Sequence, residues 1–227
     1  MAKATEASAA SEPLTQINQF YDRRRPHACK LRIDEDFEVI HHLSPLSDER
    51  YFQLEQEIER AVRHSSRVSV KMFEPKVKLW RELIDSIEGY DDLPDDFRES
   101  IFTDEAVRVV NSMLDVQITG IESDKRTFRR ETTVSLTALQ GSTAFVDLSL
   151  KFRIPTHGER DVWYQVIAGR QNELASAATN SSKSERLFKV AQAMLVSSEG
   201  YEDGPPAWHV IAAATHYLNY LDDQMGK

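Results

Sequence analysis

A chain of 227 residues is long enough for one large domain or two small ones, each able to bury a core. Its 41% hydrophobic and 29% charged residues suit a soluble globular protein, and its net charge of −9 repels phosphate backbones, which disfavours general nucleic-acid binding. Its single cysteine, Cys29, rules out an intrachain disulfide and suits a reducing compartment, and no apolar run approaches the roughly 20 residues needed to span a bilayer.

The opening MAKATEASAASEP lacks the apolar stretch of a secretory signal and is rich in Ala, Ser and Glu. That composition predicts a disordered or extended arm over residues 1–28. The basic run DRRRPHACK (residues 22–30) reads as its solvated end.

Residues 29–118 then read as one unit. CKLRI and FEVIHHL flank an acidic turn and predict a β-hairpin. Ser47-Asp48-Glu49 is a helix start, and Tyr51, Leu54, Ile58 and Val62 recur at helical spacing behind it. Val77, Trp80, Leu83, Ile84 and Ile87 predict a second helix, closed at Gly89 where glycine can take a left-handed conformation. YDDLPDD (residues 90–96) reads as an acidic turn. Thr103 is the expected cap of a third helix carrying Ala106, Val109, Val110 and Met113.

Residues 119–129 form the expected connector, continuing into the charged stretch SDKRTFRRE (residues 123–131). Residues 130–224 repeat the pattern. Val134, Leu136 and Ala138 alternate, then Phe145, Leu148 and Leu150 with one slip, around a turn at Gln140-Gly141-Ser142. Thr156-His157-Gly158-Glu159 is the next helix start, and helices are predicted over residues 159–171, 183–198 and 206–222, with Gly200 closing the middle one.

The two segments also match letter by letter. LIDSIEGYDDLP falls on MLVSSEGYEDGP without a gap, and DFEVIHHLSPLSDER falls on DLSLKFRIPTHGER with one residue removed, so that Pro45 meets Pro155. A repeat period of about 110 residues is too long for a solenoid and predicts an internal duplication. The expected fold is therefore α+β, mostly α: two tandem similar domains, each a hairpin followed by about three helices.

Chemistry-bearing motifs are not found. The sequence has no glycine-rich phosphate loop, no G-x-S-x-G elbow and no H-E-x-x-H helix. His41 and His42 are neighbours on a strand and should face opposite sides, a poor metal pair. Cys29 has no feature that would activate it, and YDDLPDD lacks calcium-loop spacing. The expectation is a non-enzyme with no cofactor or metal. The candidate partner-binding residues are Trp163 and Tyr164 near Ile167, and Trp208 and Tyr217 on the last helix. IFTDEAVRVV (residues 101–110) is a further apolar stretch, and core packing also accounts for all of them.

Three stretches carry a family resemblance: LKFRIPTHGERDVWYQ (residues 150–165), LWRELIDSIEGYDDLPDDFRESIFTDEAVRVVNSML (residues 79–114) and LFKVAQAMLVSSEGYEDGPPAWHVIAAATHYLNYLDD (residues 187–223). The hairpin, polar break and helix, then a glycine–aromatic step with acids and a last amphipathic helix, resemble the tail assembly chaperones of long-tailed bacteriophages. The chain departs from them in its duplication and in carrying Tyr where many members have Trp after the glycine. The resemblance implies a non-catalytic protein of the host cytoplasm. It would coat the apolar tape measure protein before tail tube subunits polymerise, with possible contact to the tail tube protein and possible self-association. The alternatives are a structural tail or head–neck component of the virion, or a cytoplasmic adaptor.

Overall fold

The computed structural model describes residues 20–63, 73–123, 130–140, 144–169 and 181–225. Among them the fold is α+β, with seven helices and two antiparallel sheets. The first sheet has the order β1 (His27–Arg32), β2 (Glu38–Leu43), β3 (Ile84–Glu88). It is joined by α1 (Asp48–Arg63), α2 (Phe73–Leu83), the short α3 (Phe97–Ser100) and α4 (Thr103–Leu114). The second sheet has the order β4 (Gln117–Ser123), β5 (Thr132–Gln140), β6 (Ala144–Phe152), β7 (Leu195–Glu199), with α5 (His157–Ile167), α6 (Lys183–Met194) and α7 (Ala207–Met225).

The strands alternate as a half-buried sheet should. Cys29 and Leu31 of β1, Val39 and Leu43 of β2, and Val134, Leu136 and Ala138 of β5 all face cores. In β6 the alternation runs without a slip through Val146, Leu148, Leu150 and Phe152, and Phe145 points outward. The expected turn at Gln140-Gly141-Ser142 lies largely outside the described residues.

Three elements differ from the sequence reading. The second helix of each segment stops early, at Leu83 and Met194, and its expected last turns are the strands β3 and β7. Ile84 and Ile87 are three apart because a bulge falls between them: His42 pairs with Ser86 and Leu43 with Ile84, skipping Asp85. The extra residue returns both side chains to one face, a spacing that mimics a helix. The same bulge recurs where Lys151 pairs with Ser197 and Phe152 with Leu195. β4 was expected in part as connector, yet it pairs with β5 as the edge of the second sheet. Thr103 is not a side-chain cap; it is the first residue of α4, and Phe102 stands in the cap position.

The helix starts at Ser47 and Thr156 are as expected. Ser47 Oγ accepts from Arg50 N at 3.1 Å. Thr156 and Glu159 form a reciprocal capping box, and the Arg153 guanidinium holds the Glu159 carboxyl down to about 2.

Gly89 and Gly200 end strands rather than helices, with φ of +110° and +84°. A Cβ on Gly89 would lie 2.7 Å from Glu38 O, and one on Gly200 would lie 2.8 Å from Asp147 O. Glu38 and Asp147 thus occupy equivalent places, a register two residues from the one that aligned Asp36 with Asp147. Gly89→Ala and Gly200→Ala should each lower stability by about 1–3 kcal/mol, from the left-handed backbone and the close carbonyl together. Gly158→Ala, in α5 with open space around it, should raise stability by up to about 1 kcal/mol. Chemical denaturation of the three variants reads the contrast.

The segments pack on one another through α1. Asp48 Oδ1 accepts from Ala207 N at 2.8 Å at the start of α7. Glu59 Oε1 accepts from Lys183 N at 2.8 Å, and Glu55 accepts from Ser184 Oγ at 3.0 Å, at the start of α6. Carboxylates of one helix thereby satisfy open N–H groups and the positive dipole ends of two others. Phe52 meets Phe188 with ring centroids 5.6 Å apart. The end of the expected arm is also built in: Tyr21 is buried, Arg23 pairs with Asp48, and Arg24 pairs with Asp203. Residues 22–30 are therefore no solvated tail, because their arginines find carboxylates on both segments; residues 1–19 lie outside the described residues.

Candidate functional site

The turn after each bulged strand carries a tyrosine whose hydroxyl is tied to the third residue of the segment's last helix, α4 or α7. Tyr90 OH donates to Glu105 Oε2 at 2.8 Å. Tyr201 OH contacts His209 Nδ1 at 3.2 Å. Glu105 and His209 are both buried polar residues at the same helical position.

Around Glu105 the bonds continue inward. Its Oε1 lies 2.9 Å from His41 Nε2, and Trp80 Nε1 donates to His41 Nδ1 at 3.2 Å. An indole N–H can only donate, so Nδ1 is an acceptor and Nε2 carries the proton given to Glu105. Both carboxylate oxygens are thus occupied. Burial, reinforced by the Glu105 carboxylate, raises the Tyr90 phenol above its ordinary value, so Tyr90 acts as a donor there and not as a base. His42 faces the other way, toward Glu88 at 2.9 Å, as expected for its strand position. Burial pushes the Cys29 thiol up to about 11, opposite to what a nucleophile needs.

Tyr90 is also one wall of an open pocket of about 320 Å³. Leu93, Pro94, Phe97, Ile101 and Phe102 supply its apolar lining and Asp92 its acidic lip. Phe102 is 76% exposed, the most exposed large apolar side chain among the described residues. The pocket exists because the turn is long here: Thr103 stands thirteen positions after Tyr90, whereas Ala207 stands six after Tyr201. The added residues form α3 and hold Phe97 against Trp80 at 6.5 Å between ring centroids.

In the second segment the corresponding ground is filled. Tyr21 N donates to Gly200 O at 2.7 Å, and Glu202 N donates to Tyr21 O at 3.0 Å. The Tyr21 ring lies 4.8 Å from His209 and 6.0 Å from Tyr201 between centroids. Burial lowers His27 to about 4, and burial with the neighbouring His27 lowers His209 to about 3.

The aromatic residues expected to face a partner lie elsewhere and are mostly internal. Trp163 is 1% exposed in the second core. Tyr217 is buried, stacked on Phe152 at 5.5 Å, with its hydroxyl donating to Arg153 O at 3.1 Å. Trp208 is buried 5.6 Å from the Tyr51 ring, in the core of the first segment. Tyr164 is partly buried and donates to Asp222. Trp163, Tyr164 and Tyr217 pack within the second segment's own core and Trp208 enters the core of the first, so these four do not form an open surface. Ile101 and Phe102 belong to the apolar stretch IFTDEAVRVV, but the rest of the pocket lining was missed because YDDLPDD reads as an acidic turn. The unequal distance from tyrosine to next helix was the available signal.

Among the described residues no cluster of three or more His, Cys, Asp or Glu is placed to hold a metal, and no helix is long and apolar enough to cross a membrane. No protein-family model matches the chain, and neither curated proteins nor solved structures match it.

Proposed function

We propose that the chain is a non-catalytic assembly chaperone of a long-tailed phage, built from two copies of one hairpin-and-helices unit and acting on the tape measure protein in the host cytoplasm. The first copy ends after α4, and the second takes in β4 as an added edge strand. The supporting observation is the order of elements within each segment. Both segments run strand, capped helix, helix, bulged edge strand, left-handed glycine, tyrosine and final helix. The hairpin, the capped helix, the glycine–tyrosine step and the final helix are the features on which the resemblance to tail assembly chaperones rests; the bulged strand stands where the sequence reading has the end of a helix.

The chemistry of the turns favours holding over reaction. Glu105, His41 and Tyr90 are tied to one another, and burial disfavours charging His27 and His209. An open apolar pocket beside acidic residues is suited to a protein partner.

Co-expression with the tape measure protein of the same phage is the test. The chain should keep that protein soluble and co-purify with it, and mass spectrometry of finished particles should not find the chain. A tape measure protein equally soluble alone, never co-purifying, rules the reading out. Stoichiometric recovery from particles assigns the chain to the virion instead.

A further inference from the structure

We propose that the edge at Gly89-Tyr90-Asp91-Asp92, with the pocket beside it, is a docking site for an extended segment of a partner protein in which an aromatic residue is followed by arginine. The inference is independent of the assembly reading, since it rests on a comparison of two places within this one chain.

The template is the chain's own residues 20–25. They lie along Gly200-Tyr201-Glu202-Asp203, where Tyr21 makes a parallel bridge to Tyr201. The ring of Tyr21 enters the space between Tyr201 and His209, and Arg24 pairs with Asp203. One strand-like residue, one buried ring and one guanidinium define what that edge accepts.

Gly89-Tyr90-Asp91-Asp92 offers a similar turn, with Glu105 in the place of His209 and with the Phe37 ring 5.4 Å from Tyr90 between centroids on one side. Its glycine is also left-handed and pressed on the strand beneath, and its tyrosine is also held by the third residue of the segment's last helix. Asp92 stands where Asp203 stands, two positions after the tyrosine. Among the described residues, no segment bridges to Tyr90 as Tyr21 bridges to Tyr201. A pocket of about 320 Å³ beside it, lined by Leu93, Phe97, Ile101 and Phe102, is ready for an aromatic side chain. Asp91, Asp92, Asp95 and Asp96 are exposed around it, which selects a cationic segment.

A separate partner is the occupant rather than the arm of a second copy. The arm is already engaged: Tyr21 is 1% exposed, and withdrawing it would open the His27 and His209 cluster.

The probe is a fluorescein-labelled peptide FYDRRRP, titrated into the full chain by fluorescence anisotropy. Saturable binding is expected, weakened at least about tenfold when both peptide aromatics become alanine. Ser100 is an exposed residue of the pocket lining, so Ser100→Trp, which fills the pocket, and Asp92→Lys, which reverses the lip charge, should each weaken it to a similar extent, with circular dichroism unchanged. Absence of saturation up to about 1 mM, or equal affinity in wild type and both variants, overturns the proposal. Concentration-dependent dimerisation that Ser100→Trp abolishes would place a second copy in the pocket and overturn the choice of a separate partner.

Discussion

Trp163→Ala is expected to destabilise the protein by roughly 3–5 kcal/mol, the range for deleting a large buried aromatic. Trp163 is 1% exposed, in a core that includes Leu148, Leu150, Met194 and Tyr217. The helix that carries it cannot easily settle into the vacated space. Its start is fixed by the Thr156–Glu159 capping box, and Arg153 grips Glu159 with contacts of 2.6 and 2.9 Å. Leu54, the buried residue seven positions after the capping Ser47, matches Trp163, seven after Thr156. Leu54→Ala should therefore cost about 2–5 kcal/mol by the same mechanism. Urea unfolding of both variants measures the effect. A Trp163→Ala protein as stable as wild type would mean that the indole serves a partner and not the core.

The second large effect is on acid stability. His27 and His209 are buried, and their folded pKa values lie near 4 and near 3, below the ordinary 6.5. Below pH 6.5 the unfolded chain therefore takes up protons that the folded chain refuses. Stability from these two groups is full above that pH and declines as pH falls toward 4 and then 3. Each histidine contributes about 1.4 kcal/mol per pH unit within its window, so on the order of 3–5 kcal/mol should be lost between pH 6.5 and 4.5. Glu55, whose carboxyl is raised by burial, opposes part of the decline near the lower end. Glu159 adds its own loss only below the usual carboxylate range, as pH approaches 2. Replacing both histidines by leucine should flatten the profile, and His27 is the easier of the two, since its Nε2 is buried with no hydrogen-bond partner among the described residues. A wild-type chain with the same urea midpoint at pH 6.5 and pH 4.5 would contradict the burial of the pair.

Local signals carried far along this chain. Ser47 and Thr156 announced helix starts because a cap needs only a side-chain oxygen three residues from the amide it accepts. The alternation in β5 was legible because one face of the sheet is buried along most of its length. Gly89 and Gly200 marked the same event twice, although the event proved to be the end of a strand. That difference arose because Ile84 and Ile87 are spaced like a helix face, and only pairing with β2 reveals the bulge that brings them together.

The candidate site was less legible. The His41–Glu105 contact joins residues 64 positions apart, and nothing in HH or DEA announces it. Trp163, Trp208 and Tyr217 could be read as core or as surface from spacing alone, since periodicity tells which residues share a helix face but not what that face meets. Composition, caps, alternation and the repeated Glu-Gly-Tyr are set by neighbours along the chain, and the sequence by itself determined them. Tertiary structure alone decided which faces became core, that α1 would cap α6 and α7, that Tyr21 would fill one turn, and that the longer turn after Tyr90 would leave a pocket. Each depends on side chains meeting across long stretches of chain, where burial and hydrogen-bond satisfaction override local preference.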